Sequence, residues 1–330
     1  MRLPTLASFF AIATFSAVVA QNVSLRVRKE WRSLSDNEKK EFLNAVKCLG
    51  NKPHGKLTLT NATPGIPPYN NESSLPFHSS VLGMASMVPM AIRKTLHKKC
   101  EYRGTIPFWD WSKDVSGGIP NSSIFNSSRI YGLGTLPLSG TNASVTDGVL
   151  WNTTRAYPEP HIITREYTPY PWRLDIFPFP IQDRDVPVSA VITPQKVEEL
   201  VMGSAGNYTN FQYMLDGVNA QGVHSTPHLM VGGDMPNLYW STNDVLFWLH
   251  HGQLDCIWAR WQANKTENAL AFSGGLTPNV TYYDQYPLGT SPLASLDSEL
   301  PTAGLDGPRK VYVRDMMDTK SGWLRYKCQY

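Results

Sequence analysis

The sequence predicts a mainly α-helical protein in which a helical bundle carries histidines inward and is wrapped by long loops. Segments 84–102, 193–217 and 243–263 have helical spacing of apolar residues or helix-starting signals. Segments 50–77 and 115–192 are rich in Gly, Pro, Asn and Ser and have no sustained helical period. The histidine pairs with the spacing of metal ligands lie in or beside the helical segments, which places the candidate site in the bundle.

The first predicted elements are two helices and an aromatic cluster. A helix is expected over 26–49, because Trp31, Phe42 and Val46 fall near one face and Ser35 can cap a helix start. The next covers 84–102, where lysines in the last turn suit the helix dipole. Within it, Pro89 and the lack of amphipathic order predict a poor core helix. Residues 104–112 then hold a compact cluster of Phe and Trp.

The remaining elements follow a long loop region. A loop as long as 115–192 is unusual inside one domain, and it is compatible with the fold if it wraps a rigid bundle. Helices are expected over 193–217, where Thr193-Pro194 marks the start, over 224–231 and over 243–263. Beyond residue 264 the sequence predicts loops and a few short strands.

The first twenty residues indicate a signal peptide. A short basic start is followed by an apolar stretch over 6–20 that ends on Val18-Val19-Ala20. This stretch is too short for a good membrane span, and no other segment approaches the length of about 18 apolar residues that a span requires. We therefore expect a secreted, extracellular protein with no membrane partner, whose mature chain is residues 21–330.

Sequons, charge and cysteines agree with export. The formal net charge is only +3, so we expect no nucleic-acid partner. Four cysteines allow two disulfides in three pairings, and we favour Cys48–Cys100 with Cys256–Cys328. N-linked glycans are expected because the chain has ten Asn-x-Ser/Thr sequons, at Asn22, Asn61, Asn71, Asn121, Asn126, Asn142, Asn152, Asn207, Asn264 and Asn279.

A first pair of histidines has the spacing of metal ligands on a helix. His224 and His228 are four residues apart, so they project from one helix face. Pro227 between them is compatible with a first helical turn. Neutral imidazoles in this arrangement bind copper or zinc. The spacing alone is a weak signal, because two solvated surface histidines give the same pattern.

A second pair lies in the middle of the apolar segment 243–263. His250 and His251 are adjacent there, and a buried helix centre is a costly place for imidazoles without partners. Adjacent side chains on a helix point about 100° apart, so only one of the two can face the same metal as His224 and His228. The other is better placed to support the site.

These histidines belong to a longer pattern. It is HxxxH, a Gly-Gly-x-Met loop over 232–235, then D-x-x-F-W-L-H-H-x-x-x-D-x-x-W-x-x-W-Q over 244–262. The pattern resembles the CuB half of tyrosinases, catechol oxidases and hemocyanins, and most of all short, secreted fungal enzymes of this type. Residues 100–112 are similar to the stretch that follows the second CuA helix in this family. The resemblance implies a tyrosinase-like four-helix bundle in a single copper domain over 21–330, with its CuB region at 224–262.

The resemblance also implies ligands and an activity. His224, His228 and His251 would hold CuB, and His250 would be their buried neighbour. Asp244 and Asp255 would support the helix that carries the histidine pair. Proteins of this type use two copper ions, each held by three histidines. The implied function is a copper oxidoreductase that oxidises a small phenolic substrate to a quinone with O2.

Three further positions bear on the phenol class. Ser225 lies where members that hydroxylate monophenols often have Asn, and Asp216 lies where they have Glu. In those members the pair holds a water that deprotonates the phenol, so we take Asp216 and Ser225 as catalytic candidates. Ser in place of Asn and Asp in place of Glu both favour o-diphenols or o-aminophenols over monophenols as substrates. Ser225 as a plain helix N-terminal residue is an equal alternative. Met235 is expected at the substrate entrance, with a packed loop methionine as the alternative.

The CuA half is aberrant over about residues 70–99. The family's Trp-His-Arg run falls on Met-Ala-Ser-Met at 84–87, and the nearest candidate for a CuA remnant is His78. One allowed coding of residues 84–94, shifted by one base, reads W-H-R-W-Y-L-W-L-Y-E. We therefore hypothesise a frame-shifted or mis-spliced reading over roughly residues 70–94.

Two alternatives stay open for the function. A true loss of the CuA site would leave an inactive or one-copper protein that acts by binding. An unrelated mononuclear metalloenzyme with a three-histidine site is the other alternative. His54 and His161 are expected at the surface rather than in a metal site.

Overall fold

The computed structural model describes the chain in segments. The predicted signal peptide, His54 and the CuA remnant candidate His78 lie outside the described residues, and for residues 83–89 and 91 only the backbone is described. No helix of the described part has the length and apolar character needed to cross a membrane. The described segments are 24–52, 83–138, 140–141, 143–155, 160–174, 181, 183–217, 221–237, 240–274, 293–300 and 309–330.

The described part is mainly helical, as predicted. α7 is buried over most of its length, and α2 and α4 pack against it, while α1 packs against α2. These four helices form the bundle that the sequence predicts, and the rest of the chain wraps it. The helices are α1 (Asp36–Gly50), α2 (Gly83–Cys100), α3 (Val188–Val191), α4 (Pro194–Met202), α5 (Tyr208–Asp216), α6 (Ser225–Val231) and α7 (Val245–Asn264).

Short strands pair segments of the wrapping loops. β1 (Arg26–Lys29) and β8 (Tyr326–Gln329) are parallel, whereas the other pairs are antiparallel. Those pairs are β2 (Ala143–Ser144) with β5 (Thr164–Arg165), β3 (Thr154–Arg155) with β4 (His161–Ile162), and β6 (Glu299–Leu300) with β7 (Val311–Tyr312).

The start of the first predicted helix was wrong. Residues 26–29 form β1, because they pair with β8 from the far end of the sequence, and local periodicity cannot reveal such a partner. α1 begins one residue after Ser35, whose hydroxyl accepts from the Glu38 N–H while the Glu38 carboxylate accepts from the Ser35 N–H. This capping box satisfies two of the backbone N–H groups at the start of α1.

The predicted helix over 193–217 is two helices. α4 ends at Met202 and α5 begins at Tyr208, with Ser204 between them at a φ of 55°. A non-glycine residue in the left-handed region cannot continue an α-helix. Asn207 then caps α5, because its side-chain oxygen accepts from the Asn210 N–H at 2.9 Å.

Two disulfides tie the bundle together, and both favoured pairings are confirmed. Cys48–Cys100 joins α1 to α2, and Cys256–Cys328 joins α7 to β8. α2 runs through Pro89 despite the poor local signals, and Met90, Ile92 and Leu96 are at most 4 % exposed. Burial against α7 and α1 therefore holds a helix that its own sequence does not favour.

Candidate metal centre

Four histidines converge at the junction of α6 and α7. Each of His224, His228, His250 and His251 offers one ring nitrogen, and these nitrogens all lie within 4.8 Å of one another. All four residues are at most 8 % exposed. Within the described segments, this is the single cluster of three or more His, Cys, Asp or Glu side chains with metal-binding geometry. The structure thus brings together both histidine pairs of the sequence.

Two of these rings are anchored through Nδ1. The Nδ1 of His228 lies 2.8 Å from the backbone oxygen of Met235, and a carbonyl can only accept, so Nδ1 carries the proton. The Nδ1 of His224 lies 2.6 Å from Oδ1 of Asp216 and donates to that carboxylate. Nε2 is then the lone-pair nitrogen of both rings. Both Nε2 atoms are buried.

His250 has a different role, because hydrogen bonds to protein groups engage both of its nitrogens. The indole Nε1–H of Trp111 can only donate, and it lies 3.1 Å from Nδ1 of His250. Nε2 must then carry the proton, and it donates to the backbone oxygen of His224 at 3.0 Å. In this tautomer His250 has no lone pair to give a metal. It joins the His224 backbone to Trp111. The sequence shows the aromatic cluster at 104–112 but does not predict this contact.

His251 completes a set of three donors. Its ring stacks on Phe247 with centroids 4.1 Å apart and an interplanar angle of 27°. The ring centroid lies 5.2 Å from that of His224 and 5.5 Å from that of His228. Three converging imidazoles, two of them anchored through Nδ1, are a donor set that suits copper. The residues present therefore fit one copper ion at the predicted CuB position.

The loop 232–235 supports this set. Gly232 and Gly233 have φ values of 63° and 58°, and a Cβ on Gly233 would lie 2.0 Å from the Thr164 oxygen. Glycine is needed there, because the loop presses against β5. Met235 is fully buried, and it is the Met235 carbonyl that bonds His228. The predicted place of its side chain at a substrate entrance stays a prediction.

Asp234 fixes the same loop. Its carboxylate accepts from the backbone N–H and the hydroxyl of Thr164 at 3.1 and 2.9 Å. The Nε2 of His161 lies 2.8 Å from its other oxygen. Burial opposes the charge of Asp234, but the hydrogen bonds of His161 and Thr164 lower its pKa. The side chain of His161 is 23 % exposed, and this histidine is not part of the described histidine cluster.

The two aspartates expected to support α7 are buried and ion-paired. Asp244 caps the helix, since Oδ1 accepts from the Leu246 N–H at 3.0 Å, and both of its oxygens accept from Arg165 at 2.7 and 2.9 Å. Asp255 accepts from Arg28 of β1. A second buried arginine, Arg155, lies near Asp244, and burial lowers its pKa to about 10. The charges of α7 are thus balanced by the loops that wrap it.

The catalytic candidates both make protein contacts. Asp216 ends α5 and is hydrogen-bonded to His224. The hydroxyl of Ser225 lies 3.1 Å from the Asp216 backbone oxygen and 3.3 Å from that of Gly222. The roles expected for these two residues at a phenol stay predictions.

Buried imidazoles that converge on a helical bundle make a candidate metal centre whose donors suit copper. The family model for the common central domain of tyrosinase matches residues 90–264, so the chain belongs to the tyrosinase family. The match includes the predicted CuB region and begins inside α2.

Known relatives agree. The chain is 27 % identical over 321 residues to the tyrosinase ustQ of Aspergillus flavus, covering 91 % of this chain and 78 % of the relative. It is 24 % identical over 373 residues to ivoB of Emericella nidulans, an N-acetyl-6-hydroxytryptophan oxidase, covering 96 % and 95 %. A structure of the polyphenol oxidase from Thermothelomyces thermophila shares the fold, with a TM-score of 0.68 at 23 % identity, covering 93 % and 89 %.

Proposed function

We propose that this copper oxidase-like protein is a secreted type-3 enzyme that oxidises o-diphenols or o-aminophenols to quinones with O2. The observation that carries the proposal is the buried cluster at α6 and α7, in which His224, His228 and His251 converge while His250 is held by protein groups. Copper bound there would supply the redox chemistry between the phenol and dioxygen. For diphenols, two substrate molecules give up four electrons and four protons, and one O2 leaves as two waters.

The chain's own residues prepare this site before any substrate arrives. Asp216 and the Met235 carbonyl hold His224 and His228 in the tautomer whose Nε2 can bind metal. Trp111 and His250 fix the backbone of His224. Preorganised ligands lower the cost of ordering the site around an ion.

The preference for o-diphenols and o-aminophenols is supported by Asp216 and Ser225. A monophenol must lose its proton before hydroxylation, and the resemblance assigns that task to a water held by these two positions. Here Oδ1 of Asp216 accepts from His224, and the Ser225 hydroxyl lies beside backbone carbonyls. Oxidation of a diphenol or an aminophenol does not depend on that water. The ivoB relative is named an N-acetyl-6-hydroxytryptophan oxidase, so hydroxylated aromatic amino-acid derivatives are a further class of substrate to test.

Copper content and oxygen uptake test the proposal on the secreted protein that the mature transcript encodes. Copper per chain is measured by elemental analysis, and O2 consumption is followed with 4-methylcatechol, 2-aminophenol and 4-methylphenol. We expect uptake with the catechol and the aminophenol and a much slower rate with the monophenol. Equal rates with the monophenol would overturn the substrate preference. One copper or none, together with no uptake, would support the alternative of an inactive or one-copper binding protein.

Secretion is supported by the described sequons. Asn121, Asn152 and Asn207 are exposed, so enzymes of the secretory route can reach them. We expect the mature protein to begin near residue 21 and to lose mass on treatment with a peptide N-glycosidase. Intact mass before and after treatment checks both points, and an unchanged mass would exclude N-linked glycans.

We also propose that the CuA region is a frame-shifted or mis-spliced reading over roughly residues 70–94. The family match begins at residue 90, close to Lys94, where the recovered reading would rejoin the written frame. Sequencing the mature transcript across residues 65–100 tests this directly. We expect the frame that encodes W-H-R-W-Y-L-W-L-Y-E. A mature message with Met-Ala-Ser-Met in frame would establish a true loss of the site.

A further inference from the structure

The carboxylate of Asp216 lies against His224 where the end of α5 meets the residues that precede α6. Gly217 leaves the helix at a φ of 76°, and a Cβ on Gly222 would lie 2.0 Å from the backbone carbon of Asp216. These two segments therefore touch, backbone to backbone. The His224 N–H donates to the Leu215 oxygen at 3.0 Å, which locks the histidine to the last turn of α5.

The resulting contact is short and largely shielded from solvent. Oδ1 of Asp216 lies 2.6 Å from Nδ1 of His224, with side-chain exposures of 22 % and 10 %. The Ser225 hydroxyl lies 3.1 Å from the Asp216 backbone oxygen, so the next residue after the histidine helps to hold the backbone that presents the carboxylate. The position of Asp216 is thus fixed by its neighbours in both segments.

The other anchored ligand has a neutral partner. His228 donates through Nδ1 to the Met235 carbonyl at 2.8 Å, whereas His224 donates to a carboxylate. A charge-assisted hydrogen bond is roughly twice as strong as a neutral one. A carboxylate on one ring nitrogen also raises the basicity of the other, which makes that imidazole a better metal ligand. The two ligands of α6 are therefore electronically unequal.

We propose that Asp216 is a positioning residue that fixes the tautomer of His224 and strengthens its Nε2 as a copper donor. It does so in place of holding a water for phenol deprotonation. The proposal rests on the proposed function in one respect, namely that the three histidines bind copper. It adds an assignment that separates Asp216 from the phenol and places it behind the metal.

Copper affinity of the full chain tests this assignment. Asp216→Ala removes both charge and acceptor, and Asp216→Asn keeps an oxygen acceptor of similar size without the charge. Loss of such a partner typically weakens metal binding about 10- to 100-fold, which we expect for Asp216→Ala, with a smaller loss for Asp216→Asn. Affinity is measured by competition with a chromophoric copper chelator. Asp185→Asn is the matched control, because Asp185 pairs with Arg173 at the surface and should leave the affinity unchanged.

Two readouts distinguish this role from a water-holding or a purely structural one. Asp216→Asn should change the electron paramagnetic resonance parameters of the chain loaded with a single Cu(II) ion, because the donor strength of His224 changes. It should not selectively lower monophenol turnover relative to catechol turnover. Wild-type copper affinity in both Asp216 variants, or a selective loss of monophenol turnover at unchanged affinity, would overturn the proposal alone. Absence of copper from the wild-type chain would overturn the proposed function as well.

Discussion

Helices α7 and α2 pack against each other in the bundle, but they contribute different chemistry. α7 carries His250 and His251 in its buried middle. The described side chains of α2 that face the core are mostly apolar, including Met90, Ile92 and Leu96. Both helices are held by tertiary packing, so packing alone does not explain the difference.

The difference lies in the polar groups that reach each helix from elsewhere. The Trp111 indole and the His224 carbonyl meet His250 from outside α7, and Arg165 and Arg28 neutralise the aspartates of the same helix. A buried imidazole or carboxylate without such partners would be strongly destabilising. A helix that carries buried metal ligands in this bundle therefore depends on hydrogen bonds and ion pairs from the segments that wrap it.

Removal of a ligand from α7 should have the largest effect. His251→Ala deletes one of three donors, so we expect the chain to lose measurable copper binding at this site, more than the roughly 10- to 100-fold loss typical for supporting residues. His97→Ala on α2 is the matched control, because His97 is not part of the described cluster. Equilibrium dialysis with copper checks both variants. An equal loss of copper binding in His97→Ala would contradict the conclusion that α7, and not α2, carries the ligands of this site.

The next largest effect concerns the ion pair of Asp244 with Arg165 at the start of α7. Asp244→Ala removes the helix cap and leaves Arg165 buried without its carboxylate. Breaking a buried ion pair in this way typically costs about 3–5 kcal/mol, so we expect a loss of that order in the free energy of unfolding. Urea denaturation followed by tryptophan fluorescence measures it.

The surface pair Arg314–Asp297 gives the control for Asp244. Its side chains are 55 % and 71 % exposed, and exposed pairs contribute about 0–1 kcal/mol. Asp297→Ala should therefore change the free energy of unfolding little. A similar small change in Asp244→Ala would show that the wrapping loops do not stabilise α7 through this ion pair.

The sequence predicted α7 and the histidine cluster because their signals are local. The spacing of His224 and His228, and the geometry of adjacent His250 and His251, follow from helix periodicity. Ser35, which the sequence offered as a helix cap, is the N-cap of α1, although the predicted helix began too early at residue 26. β1 was missed because its partner lies 300 residues later in the chain, as the pairing of Arg26 with Tyr326 shows. The bond from Trp111 to His250 was missed for the same reason, since nothing in either local sequence encodes it.

A stabilising substitution is expected in α2. Pro89 lies within the residue range of α2, and a proline in a helix interior lacks the N–H for one backbone hydrogen bond. Pro89→Ala should raise the free energy of unfolding by roughly 1–3 kcal/mol, because proline is about 3 kcal/mol less favourable than alanine in a helix interior. Thermal unfolding of both proteins at the same copper level measures the change. A decrease in the free energy of unfolding would contradict the expectation that Pro89 destabilises α2.

The smallest expected effect is a pH dependence at the loop that holds His228. Burial disfavours the charged Asp234 carboxylate, but the hydrogen bonds of His161 and Thr164 outweigh it and lower the pKa below the ordinary value of 3.8. A carboxyl with a lowered pKa contributes stability that is fully present above its unfolded value and is lost as the pH falls through its folded value. Asp234→Asn lacks this titration. Between about pH 5 and about pH 2, the wild-type apoprotein should therefore lose more free energy of unfolding than Asp234→Asn does. Urea denaturation across this pH range measures the free energy of unfolding of both proteins. An equal loss in wild type and Asp234→Asn would show that folding does not lower the pKa of Asp234.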